Sequence, residues 1–237
     1  NYAFNLQSLP YAVVGVSFSL AIFSTLAQKS DDKKEFASIV QNSIYNVMFW
    51  VLPSVVGVFM LRYELVDFLL GGGAFGIEEA LLTSTTLGVF IWAALFQSLI
   101  PLLARSFYAL EDSRTPLILS FFAVLLGAFA SYFFALKMQF GVVALAYSAI
   151  LSSAFYALTL FFFLARKINV SVFALFSLKK VSLLLFSSSI MGLALFVIQK
   201  INYSSFVTLL VSVLVAVALY FAMHSITKTF PSLQKDQ

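Results

Sequence analysis

Long apolar runs separated by short charged connectors make up this chain. Seven runs, roughly 6–27, 42–61, 78–104, 116–136, 141–165, 180–199 and 205–225, have cores free of acidic and basic residues. Each approaches or exceeds the ~20 residues that cross roughly 30 Å of hydrocarbon. Lipid offers the backbone no hydrogen-bond partner, so each run predicts a helix and not a strand. The expected fold class is therefore all-α: a polytopic membrane protein of about seven transmembrane helices. At 1.5 Å per residue the run 78–104 would be about 40 Å long, so it should tilt or protrude.

The connectors set an orientation. Those after spans one, three, five and seven carry Lys29, Lys33, Lys34, Arg105, Arg114, Arg166, Lys167, Lys179, Lys180, Lys228 and Lys235. Those after spans two, four and six carry only Arg62, Lys137 and Lys200. Basic connectors stay in the cytoplasm. The chain is thus expected to begin outside and to end at Gln237 in the cytoplasm.

Within the connectors, "KSDDKKEF" places Ser30, Asp31 and Asp32 where a helix can be capped. "GGGAFGIEE" reads as an outer turn, followed by Glu78 and Glu79 at the positive end of span three. Its glycines are no phosphate loop, because no Gly-Lys-Ser/Thr follows. Thr115 reads as a cap, with Pro116 opening span four. Residues 170–178 are too short to span and carry basic flanks, the pattern of an interfacial segment. The organisation expected is five spans over 1–167, an interfacial connector over 168–178, and two further spans with a tail over 179–237.

Composition narrows the chemistry. Hydrophobic residues are 62% of the chain and charged residues 10%, against roughly a quarter charged in soluble domains. There is no cysteine, so disulfides and Cys-based metal sites are excluded. No Ser/His/Asp set, metal-ligand spacing or pair of deep carboxylates occurs, so neither an enzyme nor a cofactor is expected. The basic residues lie between spans, a pattern of topology and not of nucleic-acid binding. The chain opens without Met or a signal-peptide pattern and reads as the C-terminal piece of something longer.

The candidate cavity residues are polar groups inside spans. Asn42, Tyr45 and Asn46 share one face of span two, Asn5 and Gln7 begin span one, and Gln97 lies midway along span three. Such groups face either a cavity or another helix. Pro53 should kink span two, as moving helices often are and as packing alone can require. Trp50 and Trp92 read as packing residues, and His224 as incidental. Arg105, Glu111, Asp112 and Arg114 cluster beside Phe107 and Tyr108. Basic residues there set topology and meet lipid phosphate, with a substrate phosphate as the second option.

The stretch "LLARSFYALEDSRTPL" resembles the signature of the MurJ (MviN) family of lipid II flippases, roughly Arg-x-Phe-Tyr-Ala-x-x-Asp-x-x-Thr-Pro. Phe107, Tyr108, Ala109, Asp112, Thr115 and Pro116 carry the match. "LLGGGAF" is similar to the family's Gly-x-Phe turn through Gly73 and Phe75. The first span is similar to the family's first helix here through Tyr2, Ala3, Pro10 and Gly15, and Leu52-Pro53 falls at its Leu-Pro. The resemblance implies a 14-helix transporter of two six-helix lobes plus two extra helices, both ends cytoplasmic, of which these would be the last seven. It implies alternating-access transport of lipid-linked peptidoglycan precursor across the bacterial cytoplasmic membrane. A polar cavity would take the sugar–pyrophosphate head, and a groove by the two extra helices the lipid tail. The partners implied are that lipid-linked substrate, membrane lipids and the missing N-terminal half. Two departures stand out. Phe4 and Asn5 replace an Asp-Arg pair frequent in the family, and Tyr45 and Asn46 occupy the turn where an Arg is frequent. The alternatives are an exporter of another polyprenyl-linked glycan or of a cationic small molecule, and a scaffold that has lost the site.

The topology is testable in intact cells. A cysteine at Gly72 should react with an impermeant thiol reagent and one at Ser30 should not; the reverse pattern would invert the orientation.

Overall fold

The computed structural model describes residues 2–71, 76–172, 175, 178–200 and 205–227. Among these there is no strand. Seven helices are long and apolar enough to cross a membrane. In chain order the elements are α1 (Tyr2–Gln28), α2 (Lys33–Met60), α3 (Arg62–Leu70), α4 (Ile77–Ala109), α5 (Arg114–Lys137), α6 (Val143–Lys167), α7 (Leu178–Gln199) and α8 (Ser205–Thr227). Short connectors make successive long helices alternate in direction. One end of the bundle therefore carries the basic connectors after α1, α4 and α6.

Two boundaries differ from expectation. The second helix begins at Lys33 and not near residue 42. Hydropathy marks only the apolar part of a helix, whereas its start is marked by the cap. Asp32 accepts from the backbone N–H of Lys34 at 2.9 Å and of Glu35 at 3.1 Å, meeting two of the orphan donors of the first turn. Those bonds, Glu35 first, lower the Asp32 pKa below its usual value. The other difference is α3, within what reads as a plain connector over 62–77. It is too short to cross a membrane, and its Val66 is buried against Leu87 and Phe90 of α4. Gly73 and Phe75 lie outside the described residues.

The core is built around α4, which at 33 residues is about 50 Å long. Phe36, Val40 and Val47 of α2 pack with Ile91, Leu102, Leu103 and Phe107 of α4 and with Leu160 and Leu164 of α6. By contrast α5 buries only four residues over Arg114–Tyr132, namely Pro116, Leu119, Ala123 and Ala130. Its Phe121, Phe122 and Phe129 point outward, as lipid-facing side chains do. Trp50 and Trp92, expected to pack, are also partly exposed at 37% and 38%, while Trp92 still stacks edge-on to Phe59.

Prolines shape two helices. Pro10 has no N–H and its ring crowds the preceding turn; α1 responds with one wide turn over Tyr11–Val16, a known way to absorb such an insult. Within that turn Gly15 presses against α4, so closely that a Cβ would sit 2.7 Å from the Ser98 carbonyl oxygen. Small residues allow this approach where helices pack in lipid. In α2, Pro53 withholds the intrahelical donor to the Phe49 carbonyl. The Tyr220 hydroxyl of α8 donates to that oxygen at 2.7 Å. Around the bond Tyr45, Phe49 and Leu52 of α2 pack with Leu184, Met191 and Leu195 of α7 and Ala216 and Tyr220 of α8. His224 is part of this seam and not incidental. It is fully buried, its ring centre 4.7 Å from Phe49 and 4.4 Å from Tyr220. At the other end of α7, Gln199 donates to the Met60 carbonyl at 2.6 Å and to Glu64 at 3.1 Å.

Tyr220→Phe removes the donor that stands in for Pro53, and should destabilise the chain by about 1 kcal/mol. In a Pro53→Ala background, where residue 53 again supplies an N–H to Phe49, the same change should cost close to nothing. Unfolding in detergent across the double-mutant cycle checks this; equal costs in both backgrounds would refute it.

Candidate functional site

Four places gather polar chemistry. The first is the connector between α4 and α5, where two helix ends meet within four residues. Glu111 adopts φ +57°, the left-handed turn that closes helices and that a non-glycine residue takes at some strain. The Asp112 N–H then donates back to the Phe107 carbonyl at 3.0 Å. The Asp112 carboxylate caps the next helix, accepting from the Thr115 N–H at 3.0 Å and the Thr115 hydroxyl at 2.8 Å. So Thr115 is the residue capped and not the cap. The cause is local: Asp112 reaches the N–H three residues on, the usual geometry of an N-cap side chain. The same carboxylate meets Lys167 at the end of α6 at 2.7 Å. Burial pushes the Asp112 pKa up, but Lys167 and the two Thr115 donors outweigh it and hold it at about 2. Tyr156 of α6 donates to the Pro116 carbonyl at 3.1 Å, so α5 is pinned to α6 at its first turn. Phe107 is buried in the core against α2 and α6, whereas its neighbour Tyr108 is exposed.

The second place is the seam between α1 and α4. Arg105 is half-buried and its guanidinium donates to Ser19 of α1, itself fully buried. The arginine is thus turned across the bundle and is more than a boundary marker. Gln7, on the same side of α1 as Ala3, is fully buried and neither end of its amide has a partner among the described residues. Asn5 is exposed on another side of α1.

The third place is the junction of α2 with α7 and α8. Asn42 accepts from Lys180 at 3.4 Å, and the Lys180 ammonium sits 5.2 Å from the centre of the Tyr45 ring. Tyr45 is buried and Asn46 half-buried. Along the same helix lies an apolar groove of about 390 Å³, lined by Trp50, Pro53 and Gly57 of α2, Met191 of α7, and Val217 and Tyr220 of α8, among others. The structure brings Asn42 and Tyr45 together under Lys180, whereas Asn5 lies on a different helix.

The fourth place holds Gln97. It lines a cleft of about 540 Å³ between α4, α5 and α6 with Ser120, Ser131, Ser148, Ser152, Ser153 and Tyr156. Ser131 donates to Ser148 across the cleft at 2.7 Å. Sequence reasoning missed these serines, along with Ser19, Lys180 and Tyr220. Their only signal was recurrence at helical spacing, and small hydroxyl residues in spans are common enough to hide it. Of the expected interfacial segment, Phe173, Ala174, Phe176 and Ser177 lie outside the described residues, while Leu175 is buried in the core. Among the described residues no cluster of His, Cys, Asp and Glu could hold a metal ion.

Comparison with known proteins places this geometry. The family model described as lipid II flippase MurJ matches residues 1–227. The lipid II flippase MurJ of Thermosipho africanus is 26% identical over 226 residues, covering 95% of this chain and 44% of that protein. A probable lipid II flippase MurJ of Rhizobium tropici is 34% identical over 118 residues, 49% of this chain and 22% of that one. A solved structure, lipid II flippase MurJ in an inward closed conformation, superposes with a TM-score of 0.81 at 23% identity over 95% of this chain and 46% of that one. The chain spans just under half the length of the long matches, and the last comparison establishes the fold.

The double cap generates a prediction with a definite sign. With a pKa lowered from 3.8 to about 2, Asp112 contributes stability that is fully present above pH 3.8 and is lost as pH falls through about 2. Asp112→Ala should cost about 1 kcal/mol at neutral pH and should flatten the acid limb of a pH–stability curve. An unchanged acid limb would separate Asp112 from the stability of this end.

Proposed function

The chain belongs to the lipid II flippase MurJ family, and from that premise we propose that it takes part in moving a lipid-linked peptidoglycan precursor across the bacterial cytoplasmic membrane by alternating access. The observation that carries this is the extent of the family match, which runs through the bundle and through both final helices. Two features of the geometry support it. Arg105 crosses the α1–α4 seam, where a guanidinium can meet a phosphate with several donors at once. The groove along α2, α7 and α8 is apolar, as a lipid tail requires. Asn5, Asn42, Tyr45, Asn46 and Gln97 serve as neutral polar lining. The connector from Arg105 through Phe107, Tyr108, Asp112, Arg114 and Thr115 to Pro116 acts as a rigid link between α4 and α5.

Residues 1–167 act as part of one transporter lobe, 168–178 as the connector and 179–237 as the tail-binding pair. The basic end of the bundle faces the cytoplasm, because eleven of the fourteen basic residues lie in the connectors on that side. Alternating access rocks one repeat against another, so transport needs helices beyond these seven. The neutral residues at Phe4, Asn5, Tyr45 and Asn46, where the family often carries charge, favour a second reading: a flippase of another polyprenyl-linked glycan.

The experiment is complementation in bacteria depleted of their own lipid II flippase, with the protein in its full length. Wild type should restore growth and clear the accumulated precursor. Arg105→Gln should reduce transport at least about tenfold, the loss of roughly one charge-assisted contact, at an unchanged membrane level. Growth without clearance of lipid II would favour the second reading, and no rescue by wild type would remove the first.

A further inference from the structure

The ammonium of Lys180 sits where α2 and α7 meet, on the polar face of α2. Its partners are neutral: the Asn42 side-chain oxygen at 3.4 Å and the face of Tyr45 at 5.2 Å. Among the described residues the ion pairs are Lys29–Glu35 and Lys167–Asp112, so no described carboxylate pairs with it. A half-buried cation held by one long hydrogen bond and a ring face keeps much of its attraction for an anion.

What lies beside it gives that attraction an object. Asn42, Asn46, Trp50, Pro53 and Gly57 follow one another at three- and four-residue steps, and so share one side of α2. The last three line the apolar groove. A cationic, polar stretch is thus continued along the same helix face by an apolar one. That sequence of surfaces complements an amphiphile with an anionic head and a hydrocarbon tail.

We infer that Lys180 pairs with the diphosphate of the lipid-linked substrate while the prenyl chain enters the groove between α2 and α8. The inference rests on the flippase reading above. Lysine suits the place as a single compact charge on a flexible stem. Asn42 and Tyr45 hold that stem pointed along α2. A lysine present only to orient the chain would not distinguish a charged prenyl ligand from an uncharged one.

The test uses the purified full chain in phosphatidylcholine nanodiscs. Of its two tryptophans, Trp92 is replaced by Phe, leaving Trp50 in the groove as reporter. Its emission is titrated with undecaprenyl diphosphate and with undecaprenol, the same chain without charge. The diphosphate should bind more tightly. Lys180→Gln should cut that preference about fivefold, the equivalent of ~1 kcal/mol, with undecaprenol binding unchanged. Lys180→Arg should retain the preference. Asn42→Asp gives Lys180 a counter-charge within the protein, so it should abolish the preference while strengthening the α2–α7 contact. Absence of a diphosphate preference in wild type, or a preference that survives both Lys180→Gln and Asn42→Asp, overturns the inference. Equal displacement by phosphatidylglycerol also overturns it, assigning the site to bulk anionic lipid. Failed complementation with the Lys180-dependent preference intact would remove the flippase reading and leave this site standing.

Discussion

Pro53 withholds a donor from the Phe49 carbonyl, and hydrocarbon supplies none in return. The Tyr220 hydroxyl fills that role at 2.7 Å. Because Tyr220 belongs to the last helix, a local defect in α2 becomes a long-range tie. The aromatic seam of Phe49, Tyr220 and His224 closes around it, and the groove lined by Trp50, Pro53 and Gly57 opens beside it. Proline in α2 therefore leaves an anchoring point for α8 at the Phe49 carbonyl, beside a groove whose wall includes the proline ring.

The basic end is organised on a different principle. There the backbone ends of helices must be closed where water is at hand, and the chain closes them in pairs. Glu111 ends α4 and Asp112 starts α5, with Lys167 linking both to the end of α6. An exposed ion pair alone is worth about 0–1 kcal/mol. Joined to two capping bonds it ties three helix ends together at one carboxylate.

The number, class and order of the spanning helices were legible, because a charge-free run of ~20 residues has no other stable form in lipid. The Asp32 cap was legible for a similar reason, being local. Which way a side chain faces was much less so. In a soluble protein burial and hydrophobicity go together. Here Phe107 is in the core and Phe121 faces outward, and nothing in their chemistry separates them. Lys180 read as a topological charge because its contact with Asn42 joins residues 138 positions apart. His224 read as incidental, whereas it is buried beside the rings of Phe49 and Tyr220. The short α3 was missed because a nine-residue helix leaves little periodicity to detect against an apolar background.

The tie between Tyr220 and Phe49 also has a consequence during biosynthesis. The two residues are 171 positions apart. At a synthesis rate of about 5–20 residues per second, roughly 9–34 s pass between the emergence of α2 and that of its stand-in donor. During that interval α2 is a span whose hydrogen-bond ladder is interrupted between Phe49 and Pro53. Lipid is a poor place for it to wait. The wetter surroundings of the insertion machinery suit it better until Tyr220 arrives. A ribosome that stalls before residue 220 leaves behind a helix that is hydrophobic enough to insert but lacks the contact that settles it, a form well suited to recognition by membrane quality control.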